Sequence, residues 1–200
     1  DMLLAGGTRM AGVTVVVADG GSTDRTREIV KTRAKRHRNL RLIDNPDRLQ
    51  AAAVNRVVDL CAAPGHEILI RVDAHSRYPR NYVMSVAESL MSHGAAALAT
   101  VMDSVGETGF QLGAALAMQS RLGTGGSAHR GGTCSGYVDH GHHAGFRLDM
   151  WRRVGGYDTR FPANEDAELD HRIARAGGRI WLDASIRLNY VMRPTLAGLA

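Results

Sequence analysis

Four carboxylates crowd one short stretch of this chain, and their spacing is suited to proton transfer: Glu165, Asp166, Glu168 and Asp170. Apolar residues recur behind them at helical spacing, so the stretch is predicted to open an amphipathic helix that ends at Gly177. Acidic residues in a first turn suit the helix dipole, which is one explanation of the cluster. A carboxylate where a loop enters a helix can also face a cleft and act as a general base, which makes this stretch a candidate catalytic site.

A second acidic position follows a predicted buried strand at residues 67–72, which runs directly into Asp73 and His75. In α/β sheets, ligands bind beyond the carboxyl ends of the strands. Residues two apart share one side of the chain if the extended geometry continues. A carboxylate and an imidazole together can hold a divalent cation such as Mn or Mg. A loop Asp beside a solvent-facing His is the alternative.

A third acidic position, Asp19, ends a predicted β-branched strand at residues 13–18. Two glycines then allow a tight turn into a predicted helix at residues 25–36. Asp19 is thereby left at the strand end, where its carboxylate can accept hydrogen bonds from the ribose or base of a nucleoside. Neither GxxxxGK[ST] nor GxGxxG occurs here, so the turn is not a phosphate-binding loop.

Three histidines lie within four positions of the chain, at His140, His142 and His143. A histidine-rich tract can bind a transition metal. Histidine also packs in cores as a neutral, hydrogen-bonded ring, so at least one of the three can be structural.

The elements that position these residues alternate between strand and helix. Further strands are predicted at residues 40–43 and 95–102, and further helices at residues 49–61, 79–93, 110–122 and 149–156. This alternation predicts one α/β domain over residues 1–200, with a mostly parallel central sheet and helices on both faces. Residues 106–141 are rich in glycine and are predicted to be flexible.

Composition agrees with a single folded domain in a reducing compartment. The chain has 200 residues and 44% apolar content, enough to build a core. Cys61 and Cys134 lack metal-binding spacing and indicate a reducing compartment. The sequence contains no run of about 20 apolar residues, so no membrane span is predicted.

The net charge of +5 is concentrated in one predicted helix and its exit, at Arg25, Arg27, Lys31, Arg33, Lys35, Arg36, Arg38 and Arg41. This basic set is either a solvated helix face or a surface for anionic lipid headgroups. Aromatic content of 5% and the absence of a known nucleic-acid module argue against nucleic acid as a partner.

Five motifs in a fixed order carry a family resemblance. They are VVVADGGSTDRTREIV, NPDRLQAAAVN, RVDAHSRYP, DHGHHAGFRLDMWRRVGGYD and NEDAELDHRI. The chain resembles family 2 glycosyltransferases of the GT-A fold from Val13 to Arg193, particularly the bacterial succinoglycan-type exopolysaccharide branch. The resemblance implies an inverting enzyme that moves a sugar from a nucleotide-sugar, expected to be UDP-linked, to a lipid-linked or polysaccharide acceptor.

The resemblance also implies residue roles. Asp19 and Asp73 would bind the donor, Asp73 and His75 would hold Mn or Mg, and Asp166 would be the general base. The acceptor-side candidates are His142, His143 and Glu165, with residues 106–141 as an acceptor-side segment. His75 and Gly20 each stand where many relatives carry Asp.

Other features depart from the family. Its first strand and its late Gln-x-x-Arg-Trp-like element are missing, so the chain is predicted to be a fragment. An inactive nucleotide-binding or scaffold subunit is one alternative, and a metal-dependent nucleotidyl or phosphoryl transferase is another. The expected location is the cytoplasm, at the cytoplasmic face of the inner membrane.

Overall fold

Strands and helices alternate along the chain in a computed structural model that describes residues 2–4, 7–125 and 127–195. The strands are β1 Val15–Asp19, β2 Leu40–Asp44, β3 Ile68–Ile70, β4 Ser76–Arg77, β5 Ala97–Val105, β6 Gly136–Val138, β7 His143–Arg147 and β8 Ile180–Val191. The α-helices are α1 Thr26–Ala34, α2 Gln50–Cys61, α3 Tyr82–Ser92, α4 Gly109–Gln119, α5 Arg121–Thr124, α6 Leu148–Val154 and α7 Glu165–Arg175. The α/β class predicted from the sequence is confirmed.

The strand directions differ from the predicted, mostly parallel sheet. The larger sheet has the order β3-β7-β5-β8-β4, and β6 also pairs with β8. Only β1–β2 and β5–β8 are parallel among the strand pairs of the described residues; the others are antiparallel. Strands β4, β6, β7 and β8 are not among the strands predicted from the sequence. Of these, β7 has no β-branched residue and β4 has only two residues, so neither carries a strand signal.

Strand β5 carries the core on both of its faces, because successive side chains point to opposite sides of a sheet. Ala99 packs into a cluster that contains Leu169 and Ile173 of α7 and Trp151 of α6. Leu98 packs into a second cluster, formed largely by α3. Helices on both faces are therefore confirmed.

Helix α7 begins and ends close to where the sequence predicts. Asn164 precedes it in a left-handed conformation with φ 62°, which turns the chain sharply into the first acidic turn. Gly177 has φ 82°, a conformation that costs glycine little. The amides of Gly177 and Gly178 donate to the carbonyls of Ala174 and Ile173, at 3.0 and 2.9 Å, which closes the helix end.

An apolar cavity of about 380 Å³ separates β1 from β3. Strand β1 pairs with β2, and β3 pairs with β7. The part of the chain that the structure describes contains no strand that pairs with both β1 and β3. The missing first strand stays a prediction.

Residues 106–141 contain regular structure. Thr108 and Gln111 form a capping box at the start of α4. The helix predicted at residues 110–122 is broken at Ser120, whose ψ of 154° is extended and whose hydroxyl accepts from the amide of Gly123 to cap α5. Gly126 lies outside the described residues, and the flexibility of this segment stays a prediction.

The basic set on and after α1 is partly paired. Arg27 bridges Asp19 and Asp44 at 2.7 Å each, and Arg25 pairs with Glu28 at 3.2 Å. Most of the remaining basic side chains are exposed. No described helix is both long and apolar enough to cross a bilayer.

Candidate functional site

Arg71 joins two of the predicted acidic positions. It follows β3 directly, and its side chain is 6% exposed. Its Nε lies 3.2 Å from Asp73 Oδ1, and its Nη1 lies 2.7 Å from Asp166 Oδ1. Burial opposes the guanidinium charge, but the Tyr157 hydroxyl and these two carboxylates keep the pKa of Arg71 above its ordinary value. Asp73 and Asp166 thus belong to one site at the carboxyl end of β3.

One carboxylate oxygen of Asp166 accepts three hydrogen bonds. Its Oδ1 accepts hydrogen bonds from Arg71 Nη1 at 2.7 Å, from the Tyr157 hydroxyl at 2.9 Å and from His143 Nδ1 at 3.2 Å. Burial alone would raise the pKa of Asp166, but His143 and Arg71 hold that pKa well below its usual range. No hydrogen bond from the described residues reaches Oδ2, so a fixed and ionised carboxylate keeps one oxygen for a ligand.

His143 lies between two carboxylates and is fully buried. Its Nδ1 donates to Asp166 at 3.2 Å, and its Nε2 donates to Asp170 Oδ1 at 2.5 Å. Since carboxylates only accept, both ring nitrogens must carry a proton. Burial opposes that charge, but the hydrogen bonds to Asp166 and Asp170 outweigh it and raise the pKa of His143 to about 9. His143, an acceptor-side candidate in the sequence analysis, therefore supports Asp166 from behind.

Tyr157 is positioned by an amide clamp from α2. Asn55 Nδ2 donates to the Tyr157 carbonyl at 2.8 Å, and Asn55 Oδ1 accepts from the Tyr157 amide at 2.9 Å. Gly156 precedes it with φ 68°, and a Cβ at that position would lie 2.5 Å from Asn55 Oδ1. Only glycine fits this close approach, so the GGYD motif places the Tyr157 hydroxyl against Asp166.

Asp73 and His75 do not share one side of an extended chain. The amide of Ser76 donates to the Asp73 carbonyl at 3.2 Å, which makes a turn in place of the expected extension. His75 is exposed, and its ring lies edge-on against Tyr190 with a centroid separation of 5.0 Å. The nearest imidazole to Asp73 Oδ2 is that of His142, at 3.6 Å.

Asp73 leaves one carboxylate oxygen without a hydrogen bond from the described residues. Asp73 Oδ1 accepts from Gln50 Nε2 at 2.6 Å and from Arg71 Nε, whereas no hydrogen bond from the described residues reaches its Oδ2. Within residues 2–4, 7–125 and 127–195, no three His, Cys, Asp or Glu side chains converge in a metal-binding arrangement. A carboxylate oxygen of this kind is the type of ligand that Mn and Mg prefer.

Asp19 organises the turn that follows β1. Its carboxylate, 2% exposed, accepts from the amides of Gly21 and Ser22, from the Ser22 hydroxyl and from Arg27. The hydrogen bonds from Ser22 and Arg27 lower the pKa of Asp19 to about 2. Among the contacts of the described residues, none joins Asp19 to Arg71, Asp73 or Asp166.

A polar cavity of about 160 Å³ opens beside Asp166. We call it the histidine cavity; it is lined by His129, His140, His142, Glu165 and Asp166, among others. The side chain of Glu165 is 14% exposed, and its carboxylate lies 3.9 Å from Arg71 Nη1. Glu165 and His142, both acceptor-side candidates, therefore meet Asp166 at one cavity.

Sequence reasoning missed several site residues. Asp170 had a usable signal, because it lies four positions after Asp166 on one face of a predicted helix. Arg71 ends the predicted strand before Asp73, but an arginine there has many uses. Tyr157 and His129 carry no local signal, since only the tertiary fold brings them to Asp166.

A family comparison decides the class of the protein. The family model described as Glycosyl transferase family 2 matches residues 10–155. The chain belongs to this family. Succinoglycan biosynthesis protein ExoA of Rhizobium meliloti (strain 1021) is 45% identical over 185 residues. That match covers 92% of this chain but 56% of ExoA, so this family 2 glycosyltransferase chain spans little more than half the length of that relative.

Solved structures share the fold. The mannosyltransferase PcManGT from Pyrobaculum calidifontis, in complex with GDP-Man and Mn²⁺, has a TM-score of 0.64 and 22% identity, covering 92% of this chain and 50% of that one. GalNAc-T7 with UDP, GalNAc and Mn²⁺ has a TM-score of 0.69 and 12% identity, covering 96% and 39%. The predicted GT-A fold of this family 2 glycosyltransferase is confirmed.

Proposed function

We propose that this chain carries the active site of an inverting glycosyltransferase of exopolysaccharide synthesis. It would move a sugar from a nucleotide-sugar, UDP-linked, to a lipid-linked or polysaccharide acceptor. Family membership and the identity to ExoA support the reaction class. The observation that carries the proposal is Arg71, which holds the donor-side Asp73 and the candidate base Asp166 in one site.

The geometry supports direct displacement. Asp166 Oδ2 accepts the proton of an acceptor hydroxyl, and that oxygen attacks the anomeric carbon of the donor sugar. The bond from the anomeric carbon to the diphosphate breaks, and the nucleoside diphosphate leaves with the electron pair. Arg71, Tyr157 and His143 fix the orientation of the carboxylate through its other oxygen.

Donor binding is assigned to Asp19 and Asp73. Asp73 would hold Mn or Mg through Oδ2, and a bound cation offsets charge on the departing diphosphate. His75 is the proposed second ligand from this chain. Its edge-on contact with Tyr190 contributes only about 0.5–1.5 kcal/mol, so metal coordination can recruit the ring.

Asp19→Ala should weaken UDP binding at least about tenfold, because the carboxylate shapes the turn after β1 and leaves hydrogen bonds unmade when it is lost. Isothermal titration calorimetry with UDP and Mn measures this. Asp24→Ala is the matched control, since Asp24 is exposed in the same turn. Equal UDP affinity in Asp19→Ala and the wild type, with the fold intact, would remove Asp19 from the donor site.

His75→Ala should weaken Mn binding roughly tenfold or more, because even indirect supports of metal ligands typically contribute that much. Electron paramagnetic resonance of free and bound Mn in the presence of UDP gives the affinity directly. His66→Ala, at a histidine near the start of β3, is the control. If both variants bind Mn with the affinity of the wild type, His75 is not a ligand of the cation.

A panel of UDP-sugars, scored for Mn-dependent UDP release, tests the reaction itself. Release that depends on Asp166 supports the transferase. Binding of UDP without any release would instead favour the inactive or scaffold subunit, and release of pyrophosphate from nucleotides would favour the nucleotidyl transferase. The exposed basic residues on and after α1 suit a peripheral contact with anionic lipid, which supports a location at the cytoplasmic face of the inner membrane.

A further inference from the structure

The histidine cavity contains a buried polar group with no partner. His129 is 6% exposed and lines the cavity, yet its Nδ1 has no hydrogen-bond partner in the described part of the chain. Buried polar atoms in folded proteins nearly always have a partner, so an orphaned nitrogen beside a cavity points to a ligand.

The backbone around His129 is held in place, so the ring position is defined. The His129 carbonyl accepts from the amide of Met102 at 2.9 Å, and Arg130 forms a parallel bridge with Met102 on β5. The His129 ring lies edge-on to that of His140, with a centroid separation of 5.5 Å. His140 is itself anchored, because its Nδ1 bonds Asp170 at 2.7 Å.

The imidazole of His129 on the cavity wall is neutral near pH 7. Burial, helped by His140 and Arg130, lowers the pKa of His129 to about 4. A neutral imidazole offers one N–H donor and one acceptor nitrogen, the same pair of functions that a hydroxyl group offers.

The size and charge of the cavity further limit the class of ligand that it can bind. Its volume of about 160 Å³ is roughly ten times what one water needs, so it can take several hydroxyl groups of one sugar ring. Glu165 and Asp166 on the wall disfavour an anionic group, and Arg130 disfavours a cationic one.

We infer that the histidine cavity binds the hydroxyl groups of a neutral pyranose acceptor, and that His129 is a specificity-determining contact for them. The inference rests on the proposed function, because it places the acceptor against Asp166. It gives His129, His140 and His142, which all line the cavity, one shared use.

Nuclear magnetic resonance of the ring nitrogens in ¹⁵N-histidine-labelled protein tests this. The probes are methyl β-D-glucopyranoside and methyl β-D-galactopyranoside, with methyl β-D-glucuronide as the anionic counterpart. A neutral glycoside should shift the His129 ring signals, and His129→Phe should weaken its binding about fivefold or more. His171→Gln, at an exposed histidine of α7, should leave its affinity unchanged.

Several results would overturn the inference. They are unchanged affinity in His129→Phe, tighter binding of the glucuronide than of both neutral glycosides, or no shift of the His129 signals up to the solubility limit. His129→Gln repeats the comparison should the Phe variant fail to fold. UDP binding with Mn is measured in parallel. A protein that fails to bind UDP would contradict the proposed function, whereas glycoside binding tests the role of the histidine cavity separately.

Discussion

Asp166→Asn should lower glycosyl transfer by about 10²–10⁴-fold while donor affinity stays near that of the wild type. The amide keeps the shape of the side chain and can still accept the three hydrogen bonds at Oδ1, but it cannot take up a proton. The loss should therefore appear in turnover. The measurement is sugar transfer from the best donor of the UDP-sugar panel, alongside calorimetric UDP binding.

Glu168→Gln is the matched control for this substitution. Glu168 lies in the same helical turn, but its carboxylate pairs with Arg172 on α7. Such an i,i+4 pair contributes only about 0.3–0.5 kcal/mol, so transfer should be nearly unchanged. If Glu165→Gln abolishes transfer while Asp166→Asn retains it, the base is the neighbouring residue.

The low pKa of Asp166 has a consequence for the pH profile. A carboxylate whose pKa lies well below its usual range is ionised throughout the pH range of normal assays. Any fall in turnover on acidification must then come from other groups. The same three donors make Asp166 a weak base, so it accepts the proton efficiently only late, as the acceptor oxygen loses its basicity on bonding to carbon.

Local patterns in the sequence were sufficient for most helices and for the strands that precede the acidic positions. Helix α7 shows why: apolar spacing, an acidic first turn and Gly177 all act within a few residues. The direction of β7 could not be read in this way, because it depends on pairing with β3 and β5, which are distant in sequence. The turn at Asp73 was missed for the same reason, since β4 exists only through its pairing with β8.

In the candidate site, too, some residues can be identified from local sequence and others only from the fold. Asp166 and Asp73 stand out by residue type and by position at element ends, so sequence reasoning found them. Arg71 and Tyr157 act through contacts made by distant segments, and nothing nearby in sequence marks them. His143 is an acceptor-side candidate in the sequence, and only the fold reveals that it lies buried between two carboxylates.

His143→Gln should lower the free energy of unfolding by roughly 3–5 kcal/mol, the typical result of removing one partner from a buried ionic group. Asp166 would keep Arg71 and Tyr157, but the buried carboxylate of Asp170 would keep only His140. Urea unfolding followed by circular dichroism measures the effect. His143→Gln combined with Asp170→Asn should recover part of the loss, because the unpaired charge is gone; a purely additive double variant would contradict the ion-pair account.

The pH dependence of stability isolates the charge on His143. In the folded protein the pKa of His143 is raised to about 9, against 6.5 for an ordinary histidine, so the folded state binds the proton more tightly. Its contribution is therefore fully present below pH 6.5 and is lost as the pH rises through 9. Across that window the wild-type free energy of unfolding should fall by up to about 1.4 kcal/mol per pH unit relative to His143→Gln. Parallel stability curves for the two proteins between pH 6.5 and 9 would mean that the ring is neutral, and that one of its two carboxylate partners carries the proton instead.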